Sequence, residues 1–280
     1  EGERMAGPAA NKEPVVDHMT QVWASLISCC ERLTTAEWGL VTDCPGWTVK
    51  DQLSHLVGIE RMLLGDPPPP PLVAVPGYVT NAFGEMNEAC VEARRAIPGD
   101  AVSAELADAI NRRIDELRAM PTDRFDQVGW SPVGEVPYRE FMETRVIDTW
   151  AHEQDIRRSV GRPGGRNGVG ESAVLVRCEQ AMPFVVGKRV APPDGTSVLF
   201  SVRGLMGRQV YIEVHDGRAE PRRSPSPVPP SVTLAMDQEV FWMLGMGRSQ
   251  PARVVSTGQV IIDGDMATGR AVLESMAFMI

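Results

Sequence analysis

From about Glu13 to Leu33 apolar residues recur at helical spacing (Val15, Met19, Val22, Trp23, Leu26, Ile27), and this period predicts an amphipathic helix packed on one face. After Trp38, the run Cys44-Pro45-Gly46-Trp47-Thr48 enforces a turn. Thr48 with Asp51 three residues on gives a capping-box-like start to a second helix, from Thr48 to about Leu64. Gly65 is placed to end that helix, and Pro67 to Pro71, with no N–H to donate, predict a stiff extended connector. A third helical stretch covers about Asn81 to Met120, interrupted near Pro98-Gly99, with Asp100 available to cap its second half and Pro121 to close it. Trp130 to Pro137 reads as a loop. Tyr138 to Val160 is again helical and ends at Gly161-Arg162-Pro163-Gly164-Gly165. Four long helices joined in this way predict an antiparallel four-helix bundle over residues 13–165.

Beyond Gly170 the period changes. A helix from about Glu171 to Val186 precedes strand-type segments at Ser197 to Val202 and Gln209 to Val214, with a turn signal at Asp216-Gly217. The Pro/Ser stretch from Arg222 to Pro230 reads as a loop and Val232 to Ala235 as a strand. Gln238 to Leu244 reads as a helix, Val254 to Ile262 as a strand or strand pair, and Met266 to Met279 as a last helix. The second part, residues 166–280, is therefore a smaller α+β domain. The first twelve residues, rich in Gly, Ala and charge, read as a disordered start, and no internal repeat is seen.

Composition narrows the function classes. With 43 % apolar and 23 % charged residues the chain has an ordinary globular balance. A formal net charge of -9 over 280 residues, with no basic stripe longer than Arg218 to Arg223, excludes a nucleic-acid backbone as partner. No apolar run approaches the roughly 18 residues of a membrane span, and residues 1–12 lack a signal-peptide core, so a cytoplasmic protein, monomer or homodimer, is expected. Cys29, Cys30, Cys44, Cys90 and Cys178 are odd in number and contain no C-x-x-C pair, which suggests a reducing compartment and buried packing thiols.

Two of the four histidines fall where chemistry is expected. His55 lies on the stripe of the second helix that also carries Gln52, Ile59 and Met62, so it should point into the bundle and need a partner there. On the fourth helix Asp148 and His152 are one turn apart, on the same face. Two nitrogens and one oxygen from facing helices suit zinc or a similar divalent ion, with one position left open for catalysis. The same spacing also fits a helix-surface pair beside a satisfied core histidine.

The segment Cys44-Pro45-Gly46-Trp47-Thr48-Val49-Lys50-Asp51-Gln52-Leu53-Ser54-His55-Leu56, with Arg145, Asp148, His152 and Asp155 downstream, resembles the two signature segments of the mycothiol-dependent maleylpyruvate isomerase family, within the DinB-like thiol transferase superfamily. The resemblance implies a DinB-like bundle in which His55, Asp148 and His152 hold the metal, zinc or else nickel. Related isomerases carry Glu where Asp148 stands. It further implies an actinobacterial enzyme with the thiol cofactor mycothiol, acting by isomerisation of, or S-transfer to, a small electrophilic substrate. Asp155 is the candidate to orient a ligand imidazole, and pairing with Arg158 is its alternative. Arg145 is placed to meet either a substrate carboxylate or Asp148. Through Leu244 to Arg248 and Val260 to Asp265 the second domain resembles the family's own second domain, similar to sterol carrier protein type two, with Arg248 the candidate catalytic arginine. Two other classes stay open: a binding protein for a lipid or other apolar ligand, and a metal-dependent hydrolase.

Overall fold

The computed structural model describes residues 13–132, 134–222 and 228–279. The expected disordered start over residues 1–12 and positions 223–227 of the expected loop lie outside them. The chain divides into two compact units between Gly170 and Glu171.

The N-terminal unit contains α1 (Pro14–Cys30), α2 (Thr35–Trp38), α3 (Val49–Leu63), α4 (Ala82–Glu92), α5 (Gly99–Ala119) and α6 (Tyr138–Ser159). A 3-10 turn (Thr122–Asp126) and the hairpin β1 (Val128–Ser131) and β2 (Gly134–Pro137) precede α6. The bundle is formed by α1, α3, α5 and α6, with α4 laid against α3. Side-chain pairs give the helix directions. Gln52 meets His152 and Glu60 meets Arg145, so α3 and α6 run antiparallel. Glu13 meets Arg139 and Ser25 meets Glu153, so α1 and α6 run the same way. Likewise Lys50 reaches the Ile97 carbonyl and Arg61 reaches Glu105, which aligns α3 with α5; the return through α4 makes this possible.

The first helix starts with Pro14 in its first turn, where the missing N–H costs nothing. Thr48 and Asp51 form a complete capping box at the start of α3, as their spacing predicts. That helix is enclosed on every side: all residues from Asp51 to Glu60 are buried, and a Cβ on Gly58 would lie 2.4 Å from Cys90, so α4 approaches its backbone closely. An enclosed helix bearing Asp51, Gln52, Ser54, His55 and Glu60 must find partners for each polar group. For Glu60, fully buried, they are two guanidinium groups. Arg113 Nε donates to its Oε2 at 3.1 Å, and Arg145 Nε and Nη2 donate to its Oε1 at 3.1 and 2.7 Å. The far side of Arg113 donates to the Tyr138 hydroxyl at 2.9 Å.

Three local readings change. Asp100 does not cap α5; Pro98 is the N-cap, its carbonyl accepting from Val102, and Asp100 sits inside the first turn with Oδ1 taking the Ala101 N–H. The stretch read as a loop from Trp130 forms the hairpin, paired Val128 with Pro137 and Trp130 with Glu135, and Ser131 Oγ donates across its turn to the Gly134 carbonyl. Its side chains are largely exposed, so no alternation marked it. The short α2 was not foreseen; Thr34 and Glu37 close a capping box around it.

In the C-terminal unit, α7 (Val169–Phe184) continues past Pro183 into a π-helical turn (Val185–Val190) that Ala191 ends at φ 48°. The strands β3 (Ser197–Arg203), β4 (Arg208–His215), β5 (Arg218–Arg222), β6 (Val232–Asp237) and β7 (Val260–Gly264) form one sheet in the order β5-β4-β3-β6-β7. All pairs are antiparallel except β3 with β6. Val210, Ile212 and Val214 alternate inward on β4, as do Val232, Leu234 and Met236 on β6. Helices α8 (Gln238–Gly245) and α10 (Met266–Ser275) pack against β6, and α9 (Pro251–Ser256) against β7. The segment read as a strand from Val254 is helical at first, because Pro251 starts α9 and Gly258, at φ 71°, ends it before β7 begins. The strand β5, which the sequence reading missed, takes in Arg222, the first residue of the expected loop. The architecture is thus a helical bundle followed by an α+β domain, as predicted. Among the described residues no helix is long and apolar enough to cross a membrane.

Replacing Glu60 by leucine should lower the unfolding free energy by about 3–5 kcal/mol, because two buried guanidinium groups lose the buried carboxylate they share and three of their N–H donors lose an acceptor. Urea denaturation of the variant beside wild type measures this, and an unchanged midpoint would show that Glu60 does not hold the bundle.

Candidate metal centre

Helix α3 brings His55 and helix α6 brings Asp148 and His152 to one point, where an atom of each lies within 4.8 Å of the others. His55 Nε2 stands 3.3 Å from Asp148 Oδ2, and His152 Nε2 stands 3.3 Å from Asp148 Oδ1. The two imidazoles are buried, with ring centroids 4.8 Å apart, while the Asp148 side chain is 23 % exposed and gives the cluster its opening to solvent.

The proton positions follow from the surroundings. The Thr42 hydroxyl donates to the Trp47 carbonyl at 2.9 Å, so its oxygen accepts from Gln52 Nε2 at 2.6 Å. That fixes the amide of Gln52 with its oxygen towards His152, whose Nδ1–H donates to it. His152 Nε2, when the ring is neutral, therefore turns a lone pair towards a carboxylate oxygen. Two acceptors at 3.3 Å repel unless a cation lies between them. In a tetrahedral zinc site with bonds of about 2.0–2.1 Å, ligand atoms stand about 3.3 Å apart, so the spacing of these donors fits such an ion. His55 Nδ1, buried without a partner, is a further polar atom that the protein alone leaves unsatisfied.

Electrostatics keep two of the three groups, His55 and Asp148, in the forms that bind a metal. Burial outweighs the pull of Asp148 and pushes His55 down to about 4, so its imidazole is neutral at pH 7. Burial alone would raise Asp148, but the Arg145 guanidinium, then His152 and His55, hold its carboxyl well below the usual carboxylate range. Arg145 Nη1 donates to Asp148 Oδ2 while its other nitrogens hold Glu60, so the carboxylate is aimed by a guanidinium that is itself locked.

One wall of the site is Trp47. Its indole lies with ring centroid 5.2 Å from that of His55 and 5.9 Å from that of His152. The Trp47 Nε1–H donates to Glu88 Oε2 at 2.8 Å, and the other oxygen of this buried carboxylate accepts from Tyr78 OH at 3.0 Å and Arg95 Nη2 at 2.8 Å.

The remaining sequence candidates fall as follows. Asp155 is fully buried one turn beyond His152; its Oδ1 accepts from Arg158 at 2.6 Å and its Oδ2 stands 3.7 Å from His152 Nδ1, so Gln52 makes the bond that orients the imidazole. Arg248 belongs to the C-terminal unit, in the turn after α8, where its Nη1 donates to the Met246 carbonyl at 2.9 Å. Gln52, Glu60, Arg113 and Glu88 were not assigned a role from sequence. The one signal for Gln52 was its place on the His55 stripe.

Comparison with known proteins adds three findings. Residues 19–157 match the family model of the mycothiol maleylpyruvate isomerase N-terminal domain, and residues 180–275 match that of the SCP-2 sterol transfer family. The fold is similar to the crystal structure of the mycothiol-dependent maleylpyruvate isomerase, with TM-score 0.57, 13% identity, and 90% of this chain and 92% of that one covered. A mutant of that isomerase gives TM-score 0.55 at the same identity and coverage. No curated protein matches the chain.

In metal-free protein, His55 takes up a proton near 6.5 when unfolded and only near 4 when folded. Its contribution to stability is therefore full above pH 6.5 and is lost as the pH falls from 6.5 through about 4. Thermal unfolding after chelation should show a midpoint falling across this window, and His55→Gln should flatten the fall. An equal slope in the variant would remove His55 as its source.

Proposed function

Because its bundle belongs to the mycothiol maleylpyruvate isomerase N-terminal domain family, we propose that the chain is a metal-dependent enzyme that activates a low-molecular-weight thiol, mycothiol, for isomerisation of, or S-transfer to, a small electrophilic substrate. The observation that carries this reading is the meeting of His152 Nε2, Asp148 and His55 at one point, where the Gln52 bond to His152 Nδ1 turns Nε2 towards Asp148 Oδ1 at a spacing that a cation between them would fit.

His55, Asp148 and His152 would hold the ion, zinc or nickel. A dication so held lowers the pKa of a thiol bound to it, so that the thiolate persists at neutral pH. The protein's own groups prepare for this. Two neutral imidazoles and one carboxylate leave a net positive charge once a dication is present, which favours an anionic sulfur in the open position. Gln52 fixes the tautomer of His152, Arg145 and Glu60 fix the carboxylate, and Trp47 excludes water from one side of the imidazoles. Asp155, through Arg158, steadies the same turn of α6. Arg248, in the C-terminal unit, is the proposed catalytic arginine.

A second reading has its own support. The match of residues 180–275 to the sterol transfer family favours carriage of an apolar ligand by the C-terminal unit. Co-purified lipid without metal in a native mass spectrum would favour it over the enzyme.

Elemental analysis of untagged protein should find about one equivalent of zinc or nickel, as a three-ligand site requires. His152→Ala should lose both the metal and thiol-dependent conversion of maleylpyruvate, and unchanged turnover in that variant would end the proposal. Turnover without added thiol would instead indicate a hydrolase. Gln52→Leu should retain the fold but weaken metal affinity about 10–100-fold, read by competition with a chromogenic chelator.

A further inference from the structure

Helix α4 carries none of the three candidate ligands, yet it holds the aromatic wall of the candidate metal centre. Its Glu88 is 2 % exposed, and the two carboxylate oxygens engage different parts of the chain. Oε2 accepts from the Trp47 Nε1–H at 2.8 Å, while Oε1 accepts from the Tyr78 hydroxyl at 3.0 Å and from Arg95 Nη2 at 2.8 Å. The Tyr78 ring fills the place of a side chain at Gly46, where a Cβ would lie 2.3 Å from it. The residue before Trp47 is thus pinned by a phenol that the same carboxylate holds.

An indole has a single polar atom, and when the ring is buried its N–H goes where an acceptor is. The other contacts of the ring are dispersive and non-directional. The tilt of Trp47, whose plane stands 38° from that of His55 and 33° from that of His152, therefore follows from the position of Glu88. The other two donors do not depend on Glu88 in the same way. Arg95 also reaches Asp51 and Glu92, each at 3.3 Å, and its side chain is partly open to solvent, as is Tyr78. Only Trp47 is left without an acceptor when Glu88 is removed.

We propose that Glu88 is a positioning residue of the candidate metal centre: through its bond to the Trp47 N–H it fixes the indole against His55 and His152. The apolar cover of a metal site controls how closely water approaches it, so Glu88 acts on the centre through Trp47 without touching it. This effect on an ion rests on the metal reading above. The placement of the ring does not, and it can be tested on chelated protein.

The readout is the imidazole C–H resonances of His55 and His152 in the full chain after chelation, assigned by substituting each histidine in turn. The ring current of the neighbouring indole displaces these resonances, so they report where the ring lies. Glu88→Leu should shift both while the amide spectrum stays that of a folded protein. Glu88→Asp keeps the charge beside Arg95 but draws it back by one methylene from Trp47. It should shift the same resonances in the same direction, and it carries the test if the leucine variant does not fold. In a Trp47→Phe background, where a ring remains but no N–H, neither substitution at Glu88 should shift them further, the non-additivity expected of a residue that acts through Trp47. The proposal is overturned if the folded Glu88 variants leave both resonances in place, or if their shifts persist in the Trp47→Phe background. Elemental analysis of the wild-type chain reports on the metal separately, so a failure of the metal reading and a failure of this one are told apart.

Discussion

A carboxylate sealed inside a helical bundle sets the terms for the rest of this structure. Glu60 has no exposure to solvent, and its charge is tolerable only because Arg113 and Arg145 close on it from two other helices. Arg145 then has one side committed to Glu60 and presents the other to Asp148, which lies between His55 and His152. Charges of alternating sign thus run from Arg113 through Glu60 and Arg145 to the acid of the candidate site. Each group is positioned by the one before it, and in a poorly solvated interior such a series holds geometry more firmly than packing of apolar side chains would.

The segment from Thr42 to His55 does three things in few residues. Thr48 and Asp51 start α3, Trp47 covers two imidazoles, and Thr42 orients Gln52, which selects the tautomer of His152. This gives the sequence signature a physical basis: Pro45 and Gly46 fold the chain back so that Trp47, before the cap, and His55, two turns after it, face the same space. Gly46 takes φ 77° with the Tyr78 ring packed where a side chain would be, so both its conformation and its closeness exclude other residues.

Much of this was legible before the structure. The periods of α1, α3 and α6, the capping box at Thr48 and the change to strand spacing after Gly170 are local signals, and local signals survive in sequence. The spacing of Asp148 and His152 and the inward stripe of His55 left a surface pair and a core histidine as alternatives; the resemblance of the two signature segments is what singled the three out together, and the structure brings them to one point. Other features were not, for identifiable reasons. The hairpin around Gly134 is exposed on both faces and carries no alternation. The β-branched run at Val254-Val255 resembles a strand, but Pro251 and Gly258 bound a helix too short to show its period. Glu60 looks like a surface residue in an amphipathic reading; only the enclosure of α3 by α4, α5 and α6 turns it inward, and enclosure depends on tertiary packing.

The pairing of Glu60 also bears on how the bundle is made. Its partners lie 53 and 85 residues further along the chain, a long reach for a mainly helical unit, whose contacts are usually local and quickly formed. A chain emerging from the ribosome has α3 available long before α6, yet burying Glu60 before the second arginine arrives would leave its Oε1 without donors, at a cost of about 1–3 kcal/mol. The last step of closing this core is therefore tied to the arrival of residue 145. When α6 docks, it closes the core and delivers Asp148 and His152 to His55 in the same event, so that a half-built bundle has no half-built site to bind an ion out of turn.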